Sequence, residues 1–167
     1  MATTLYAQVE RLRTARDKLV RMRGVVEMGP LPPDDLPRRR DWVDREILAH
    51  IVEMLPYWMG EIERVLVGAV EPVPFGREET DLIRVMTVDR DRTLPVAELY
   101  GRLDHSLERV LRRLLELDER QVSRRGLHKK RGEMTVRQIV DTMLAGHMEE
   151  HCSQMAAVLE SARALRT

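Results

Sequence analysis

The sequence predicts an all-α fold, a four-helix bundle formed by a single domain over residues 1–167. Four segments carry apolar residues at helical spacing, and no segment shows the alternation typical of a half-buried strand. The chain has 167 residues, 34% of them charged and 4% aromatic, as in long amphipathic helices. This length fits one domain and is sufficient to bury a core without disulfides.

The first two helices are predicted over about residues 4–27 and 42–70. A connection rich in proline separates them and is expected to be extended. In the second helix, His50 shares one face with the apolar residues. Pro56 lies within this helix and predicts a kink about one turn before it.

The third helix is predicted over about residues 94–118, and the fourth helix follows Thr135 and has an apolar stripe that reaches Leu159. Before the third helix, residues 71–93 form a long connection, with a short helix or an extended apolar patch near its end. Long connections within a compact domain are often part of a functional site. Before the fourth helix, residues 121–133 are expected to form a basic loop.

Polar residues that can accept hydrogen bonds from free helix amides mark the predicted helix starts. Asp41 or Asp44 is the expected cap of the second helix, and Thr93 that of the third. The fourth helix has the strongest start, because Thr135 and Gln138 have the spacing of a capping box.

Charge and cysteine content restrict the possible partners and location. The formal net charge is zero, which argues against general nucleic-acid or anionic-membrane binding. Cys152 is the only cysteine, so no disulfide can form within the chain and a cytoplasmic location is expected. The sequence shows neither a signal peptide nor an apolar run long enough to span a membrane.

Three histidines carry the most specific chemical signal. His147 and His151 are four residues apart within the apolar stripe of the fourth helix, and His50 lies in the stripe of the second. If these helices are neighbours, three imidazoles converge and can bind zinc, nickel or a similar divalent metal with open positions. Buried, hydrogen-bonded histidines without a metal are the alternative.

Two segments resemble the sequence signatures of the DinB-like (YfiT-like) superfamily. Trp42–Ile51 matches the second-helix pattern, in which a tryptophan is followed by a glutamate and then by a histidine. Met134–Ile139, followed by His147 and His151, is similar to the last-helix pattern. The helix order and the long middle connection also agree, so the resemblance covers nearly the whole chain.

The resemblance implies a four-helix bundle that binds a divalent metal through His50, His147 and His151. It also implies small-molecule substrates. Some members are thiol S-transferases that use a low-molecular-weight thiol, some are isomerases that use mycothiol, and others are described as metal-dependent hydrolases. A homodimer is possible, although no coiled-coil seam requires one. The chain departs from the pattern at Val43, where the family usually has a serine.

Glu46 and Glu53 are the candidate catalytic residues, because each lies about one turn from His50. Either can orient an imidazole or accept a proton. Glu150, beside His151, is a weaker candidate. The simpler interpretation of each is a solvated carboxylate at the edge of the bundle.

The remaining candidates have simpler structural explanations. Tyr57 and three methionines near the histidines can line a pocket or fill the core; the methionines are Met143, Met148 and Met155. His105 lies opposite the apolar stripe of its helix and is excluded from the metal site. Cys152 is turned about 100° from His151 around the helix, which disfavours a Cys–His nucleophile.

The basic loop can hold the carboxylates or phosphates of an anionic cofactor, or it can be simply solvated. Its cationic residues are Arg124, Arg125, Lys129, Lys130 and Arg131. His128 lies within the loop and is expected to be exposed.

Two functions remain open from the sequence. The first is a metal-dependent transferase or hydrolase, and the second is a non-catalytic binding or dimerisation module with a structural metal. A catalytic site keeps a coordination position open to solvent, whereas a structural site is closed by a fourth protein ligand.

Overall fold

The computed structural model describes residues 4–29, 42–78 and 80–165. The chain is mostly helical, as predicted. Its helices are α1 (Tyr6–Met28), α2 (Asp44–Val67), α3 (Leu82–Asp91), α4 (Val96–Leu115), the single turn α5 (Glu119–Val122), α6 (Val136–Ile139) and α7 (His147–Ala164). The proline-rich connection predicted after the first helix falls outside the described residues.

Four long helical elements contact one another in a closed ring. Helix α1 packs on α4, α4 on α2, α2 on α7, and α7 on α1. Their inward stripes form one core that includes Leu12, Ile51, Leu103 and Met155, all fully buried. Each such side chain contributes about 1.5–3 kcal/mol when removed from water. The ring brings α2 against α7, and these two helices carry the site histidines.

The start of α2 differs from the prediction. Asp44 does not cap the helix, because it is the first helical residue and Val43 occupies the cap position. The Val43 N–H donates to Glu46 Oε2 at 2.9 Å, which is one of the two hydrogen bonds of a capping box. The other needs a side-chain acceptor such as serine, and valine has none. Asp41, the other predicted cap, lies outside the described residues.

The other predicted caps have opposite outcomes. Thr93 does not cap α4, because Pro95 occupies the cap position. Thr135 does cap α6, as predicted, since its Oγ1 accepts the Gln138 N–H at 3.2 Å. Gln138 Oε1 in turn accepts the Thr135 N–H at 2.8 Å, which completes the capping box.

A three-stranded sheet was missed by the sequence prediction. Strand β1 (Val73–Phe75) pairs in parallel with β2 (Arg125–His128), which pairs antiparallel with β3 (Gly132–Thr135). Strands this short carry too few residues for alternation to be recognised. The predicted basic loop is thus mainly a hairpin. Gly126 permits its close packing, because a Cβ there would lie 2.6 Å from a Phe75 ring carbon.

The long middle connection contains β1 and α3, so of the two predicted alternatives, a short helix or an extended apolar patch, the helix is present. Asp81 caps it by accepting the Arg84 N–H at 2.9 Å. Leu82, Ile83 and Met86 on this helix are exposed. Pro56 lies inside α2, whose helical residues continue to Val67, and the predicted kink stays a prediction.

The last helical stretch is not a uniform α-helix. Between α6 and α7, Val140–Gly146 is a π-helical segment, in which the His147 N–H reaches the Thr142 carbonyl five residues earlier. Segments of this kind are rare and occur frequently at functional sites. Here the segment ends directly at His147. None of the described helices is both long and apolar enough to cross a membrane.

Candidate metal centre

Three histidines meet where α2 packs against α7. His50 projects from α2, and His147 and His151 project from successive turns of α7. One potential ligand atom from each lies within 4.8 Å of the other two. His50 Nε2 and His147 Nε2 are 3.5 Å apart. The convergence expected from the sequence is therefore present, and three imidazole nitrogens lie together.

His151 presents an unprotonated nitrogen to this cluster. Its Nδ1 lies 2.8 Å from the side-chain oxygen of Gln154, which can only accept a hydrogen bond. Nδ1 must therefore carry the proton, and the lone pair is on Nε2. Nε2 is buried and finds no hydrogen-bond partner among the described residues. A buried lone pair without a partner is the state of an imidazole prepared to bind a metal.

Glu53 lies beside the outer nitrogen of His50. His50 Nδ1 and Glu53 Oε2 are 3.5 Å apart, a close approach that does not have hydrogen-bond geometry. Both Glu53 oxygens accept hydrogen bonds from Arg77, at 2.5 and 2.6 Å. The two hydrogen bonds from Arg77 hold the negatively charged carboxylate of Glu53 beside His50 Nδ1. This charge favours a proton on Nδ1, which leaves Nε2 of His50 free to act as a ligand.

All three imidazoles are neutral near pH 7. Burial lowers the pKa of His50 to about 4 and that of His147 to about 3, and it also lowers the pKa of His151. The positive charge of Arg84 acts in the same direction on each of them. Neutral imidazoles keep the lone pairs that metal binding requires.

Trp42 forms an aromatic wall at the cluster. Its ring meets His50 edge-on, with centroids 4.9 Å apart, and lies nearly parallel to His151 at 6.3 Å. The Arg84 guanidinium lies 5.0 Å from the centre of the same ring. The tryptophan that precedes α2 thus helps to hold two of the three imidazoles in place.

A cavity of about 900 Å³ opens beside the cluster. His147 and His151 form part of its wall, together with Trp42 and Trp58. The cavity is large enough for a small molecule of ordinary size. Two of the three histidines thus border a cavity open to solvent, as a catalytic metal site requires and a closed structural site does not.

The family model for the DinB superfamily matches residues 11–155, which include all three histidines and most of the helical ring. The chain belongs to the DinB superfamily. No curated protein and no solved structure matches it significantly.

In this DinB-superfamily chain, the two candidate glutamates have different surroundings. Glu53 adjoins His50, as described above. Glu46 is fully buried, and its oxygens accept from the Val43 N–H and from Arg92, whose Nη1 lies 3.2 Å away. These contacts tie α2 to the residue that follows α3. They give Glu46 a structural environment, whereas Glu53 lies at the histidines.

The secondary candidates divide between cavity and core. Met143 lines the cavity, whereas Met148 and Met155 are fully buried in the core. The Tyr57 ring lies under the Arg77 guanidinium at 3.7 Å and does not line the cavity. Glu150 is exposed on the cavity wall.

The remaining histidines and the cysteine lie outside the cluster. His105 is exposed on α4, as expected. His128 is only 5% exposed, so the prediction of an exposed residue was wrong, because pairing of β2 with β1 covers it. The Cys152 thiol is buried and donates to the Ala15 carbonyl at 3.4 Å, which turns it away from a nucleophilic role.

Two residues that support the site were not found from the sequence. Gln154 follows His151 by three residues, so helical spacing alone could have identified it. Arg77 lies in an irregular connection, 24 residues from Glu53, and no local pattern marks it. The DinB motif identifies the histidines and omits both of these partners.

Proposed function

We propose that the chain is a four-helix bundle of the DinB type that binds one divalent cation, zinc or nickel, through His50, His147 and His151. The observation that carries the proposal is the buried Nε2 of His151, which faces two other imidazoles and has no partner within the described part of the chain. A divalent cation supplies that missing partner, and imidazole nitrogen suits both metals.

The bound metal would serve as a Lewis acid that lowers the pKa of water or of a thiol toward neutrality. This chemistry is common to the two reaction types implied by the sequence resemblance, thiol S-transfer and hydrolysis. A low-molecular-weight thiol is the proposed co-substrate for the first type. We place the reaction in the cytoplasm, on a small molecule.

The side chains of this protein would have separate tasks. Gln154 and Glu53 fix the orientation and the proton positions of His151 and His50, so that Nε2 of each remains a ligand. Glu53 borders the histidines, but both of its oxygens are held by Arg77, so its proposed task is to orient His50 rather than to accept a proton from the substrate. Glu46 is proposed to position the start of α2 through Arg92.

A non-catalytic role is the second candidate. The exposed apolar residues of α3, Leu82, Ile83 and Met86, favour an interaction function such as dimerisation. The open cavity beside the histidines favours catalysis, because a purely structural metal does not need it. The catalytic proposal is therefore the stronger one.

The first experiment measures the metal content of freshly purified protein by elemental mass spectrometry. We expect about one ion per chain in the wild type, as for a single three-histidine site. The double variant H147A/H151A should lose it. The matched control is H105A, which removes an exposed histidine outside the cluster and should retain the metal.

Absence of metal, even after zinc or nickel is added, would overturn the proposal. If metal is bound, the protein is incubated with small thiols and a panel of electrophiles or ester substrates. Turnover by the loaded protein that disappears in H147A/H151A supports the enzyme. A metal that is bound tightly while no substrate turns over would favour the interaction module.

A further inference from the structure

The cavity beside the histidines is positively charged. Five cationic side chains line it, against three carboxylates. The cations are Arg11, Arg77, Arg84, Lys130 and Arg131, and the carboxylates are Glu78, Asp141 and Glu150. In a partly enclosed space such an excess attracts anions more strongly than it would on an open surface.

Arg11 and Arg77 form ion pairs within the protein, and the Arg84 guanidinium lies over the Trp42 ring at 5.0 Å, so Lys130 and Arg131 are the two cations left for a ligand. Arg11 forms an ion pair with Asp141 at 2.6 Å. Arg77 forms an ion pair with Glu53, and Glu53 does not line the cavity. Glu78 is paired with Lys129 at 2.8 Å. Lys130 and Arg131, at the turn between β2 and β3, make no ion pair with any described residue. The turn thus presents two adjacent positive charges to the cavity.

Two residues that line the cavity, Trp58 and His128, also carry buried donors that have no acceptor. The Nε1–H of Trp58 has no hydrogen-bond partner among the described residues. His128 Nδ1 accepts from the backbone N–H groups of Lys130 and Arg131, at 3.2 and 3.3 Å. The proton of the neutral ring is therefore on Nε2, which also lacks a partner. Buried donors without acceptors are unusual in folded proteins and cost about 1–3 kcal/mol each.

We propose that this cavity carries a binding subsite for an anionic group, a carboxylate or a phosphate, on the small molecule that reacts at the histidines. Lys130, Arg131, Trp58 and His128 offer only positive charge or N–H donors, so the partner that these four residues lack is an acceptor with negative charge. Lys130 and Arg131 hold the anion, while the opposite end of the molecule reaches His147 and His151. The inference rests on the proposed function only for the reaction at the histidines. Binding of the anion does not depend on it.

The test titrates the full-length, metal-free protein with succinate, with inorganic phosphate and with uncharged succinamide, after the chelator has been removed by gel filtration. Binding is measured by isothermal titration calorimetry at low ionic strength. Tryptophan fluorescence provides a local reporter, because both tryptophans of the chain, Trp42 and Trp58, line the cavity. Metal-free protein prevents the anion from binding to the metal itself.

We expect succinate or phosphate to bind, and the tighter of the two identifies the preferred anion. The K130A/R131A variant should weaken this binding by roughly tenfold or more, as charge-assisted contacts are lost. The R109A/R112A variant removes the same charge from α4, outside this cavity, and should bind like the wild type.

The inference is overturned if neither anion binds, if K130A/R131A binds as the wild type does, or if succinamide binds equally well. Zinc titration of the same protein preparation keeps the two proposals separate. Zinc binding without anion binding would leave the proposed function intact and remove the subsite. Anion binding without zinc binding would support the subsite and overturn the proposed function.

Discussion

At the scale of single residues, the candidate site depends on which imidazole nitrogens carry protons. The side chain of Gln154 and the carboxylate of Glu53 lie at the outer nitrogens of His151 and His50. Both are acceptors, and both therefore favour a free lone pair at the inner nitrogen. These outer partners, together with the histidines, determine how well the cluster can bind a metal.

Replacement of Gln154 by leucine should weaken metal binding by roughly 10–100-fold, the usual effect of removing an outer partner of a ligand histidine. The reason is that His151 loses the acceptor that keeps its proton on Nδ1. The affinity is measured by competition with a chromophoric chelator. The adjacent exposed variant S153A is the control, and equal affinities for Q154L and S153A would contradict the prediction.

Cys152 should be chemically inert in the folded protein. Burial raises the pKa of its thiol to about 11, so the reactive thiolate is scarce at about pH 8, where an exposed cysteine is partly ionised. Reaction with a chromogenic disulfide reagent should be very slow in native protein and rapid in guanidinium chloride. Fast labelling of native protein would mean that the thiol is accessible.

At the scale of secondary-structure elements, local chemistry determines where the helices begin. Side-chain acceptors in the sequence identify the capping box of α6 correctly but predict the wrong cap for α4. Thr93 has the right side chain, but Pro95, two residues later, occupies the cap position of α4. A polar residue near a helix start is therefore a cap only if its backbone is at the boundary.

The two threonines provide a matched test of this difference. T135A should lower the free energy of unfolding by about 1 kcal/mol, because the Gln138 N–H loses its acceptor. T93A should change it by less than about 0.5 kcal/mol, since the hydroxyl of Thr93 makes, among the described residues, only a long contact of 3.4 Å with the Arg90 carbonyl. Chemical denaturation measures both values. Similar losses in the two variants would show that the Thr135 cap contributes nothing specific.

At the scale of the whole molecule, packing joins three separate parts of the chain into one cavity. Helices α2 and α7 bring the histidines together, and the β2–β3 hairpin adds the basic turn. The cost of this arrangement is the burial of three imidazoles that must remain uncharged. Stability of the metal-free protein should therefore depend on pH.

The metal-free protein should lose stability as the pH falls from about 7 to 5. The pKa values of His50 and His147 are lower in the folded protein, about 4 and 3, than the ordinary value near 6.5. As the pH falls below about 6.5, the unfolded chain binds protons first, so the stabilisation present at higher pH is lost. The expected loss is roughly 1–2 kcal/mol per histidine at about pH 5.

This dependence is measured by denaturant unfolding at several pH values, with the metal removed. The H147Q variant lacks one of the titrating groups and should show a smaller loss than the wild type. Parallel pH profiles for the two proteins would contradict the prediction, because carboxylates alone would then account for the slope.

The sequence by itself determined the helical elements and the ligand pair on the last helix. Apolar residues at helical spacing predicted three long helices to within about three residues at most ends. The spacing of His147 and His151 placed them on one face, and the tryptophan–histidine and capping-box segments identified the DinB superfamily. These features are local, because each depends on residues within a few turns of one another.

Only the tertiary structure decided which residues share the site. Whether His50 meets the other two depended on contact between α2 and α7, and helical periodicity does not specify a neighbour. The ion pairs Glu46–Arg92 and Glu53–Arg77 each join residues far apart in the chain. The burial of His128 likewise depends on a strand that is distant in sequence. They arise because the helices and the short sheet bury a common apolar core, and that packing determines which polar side chains come together.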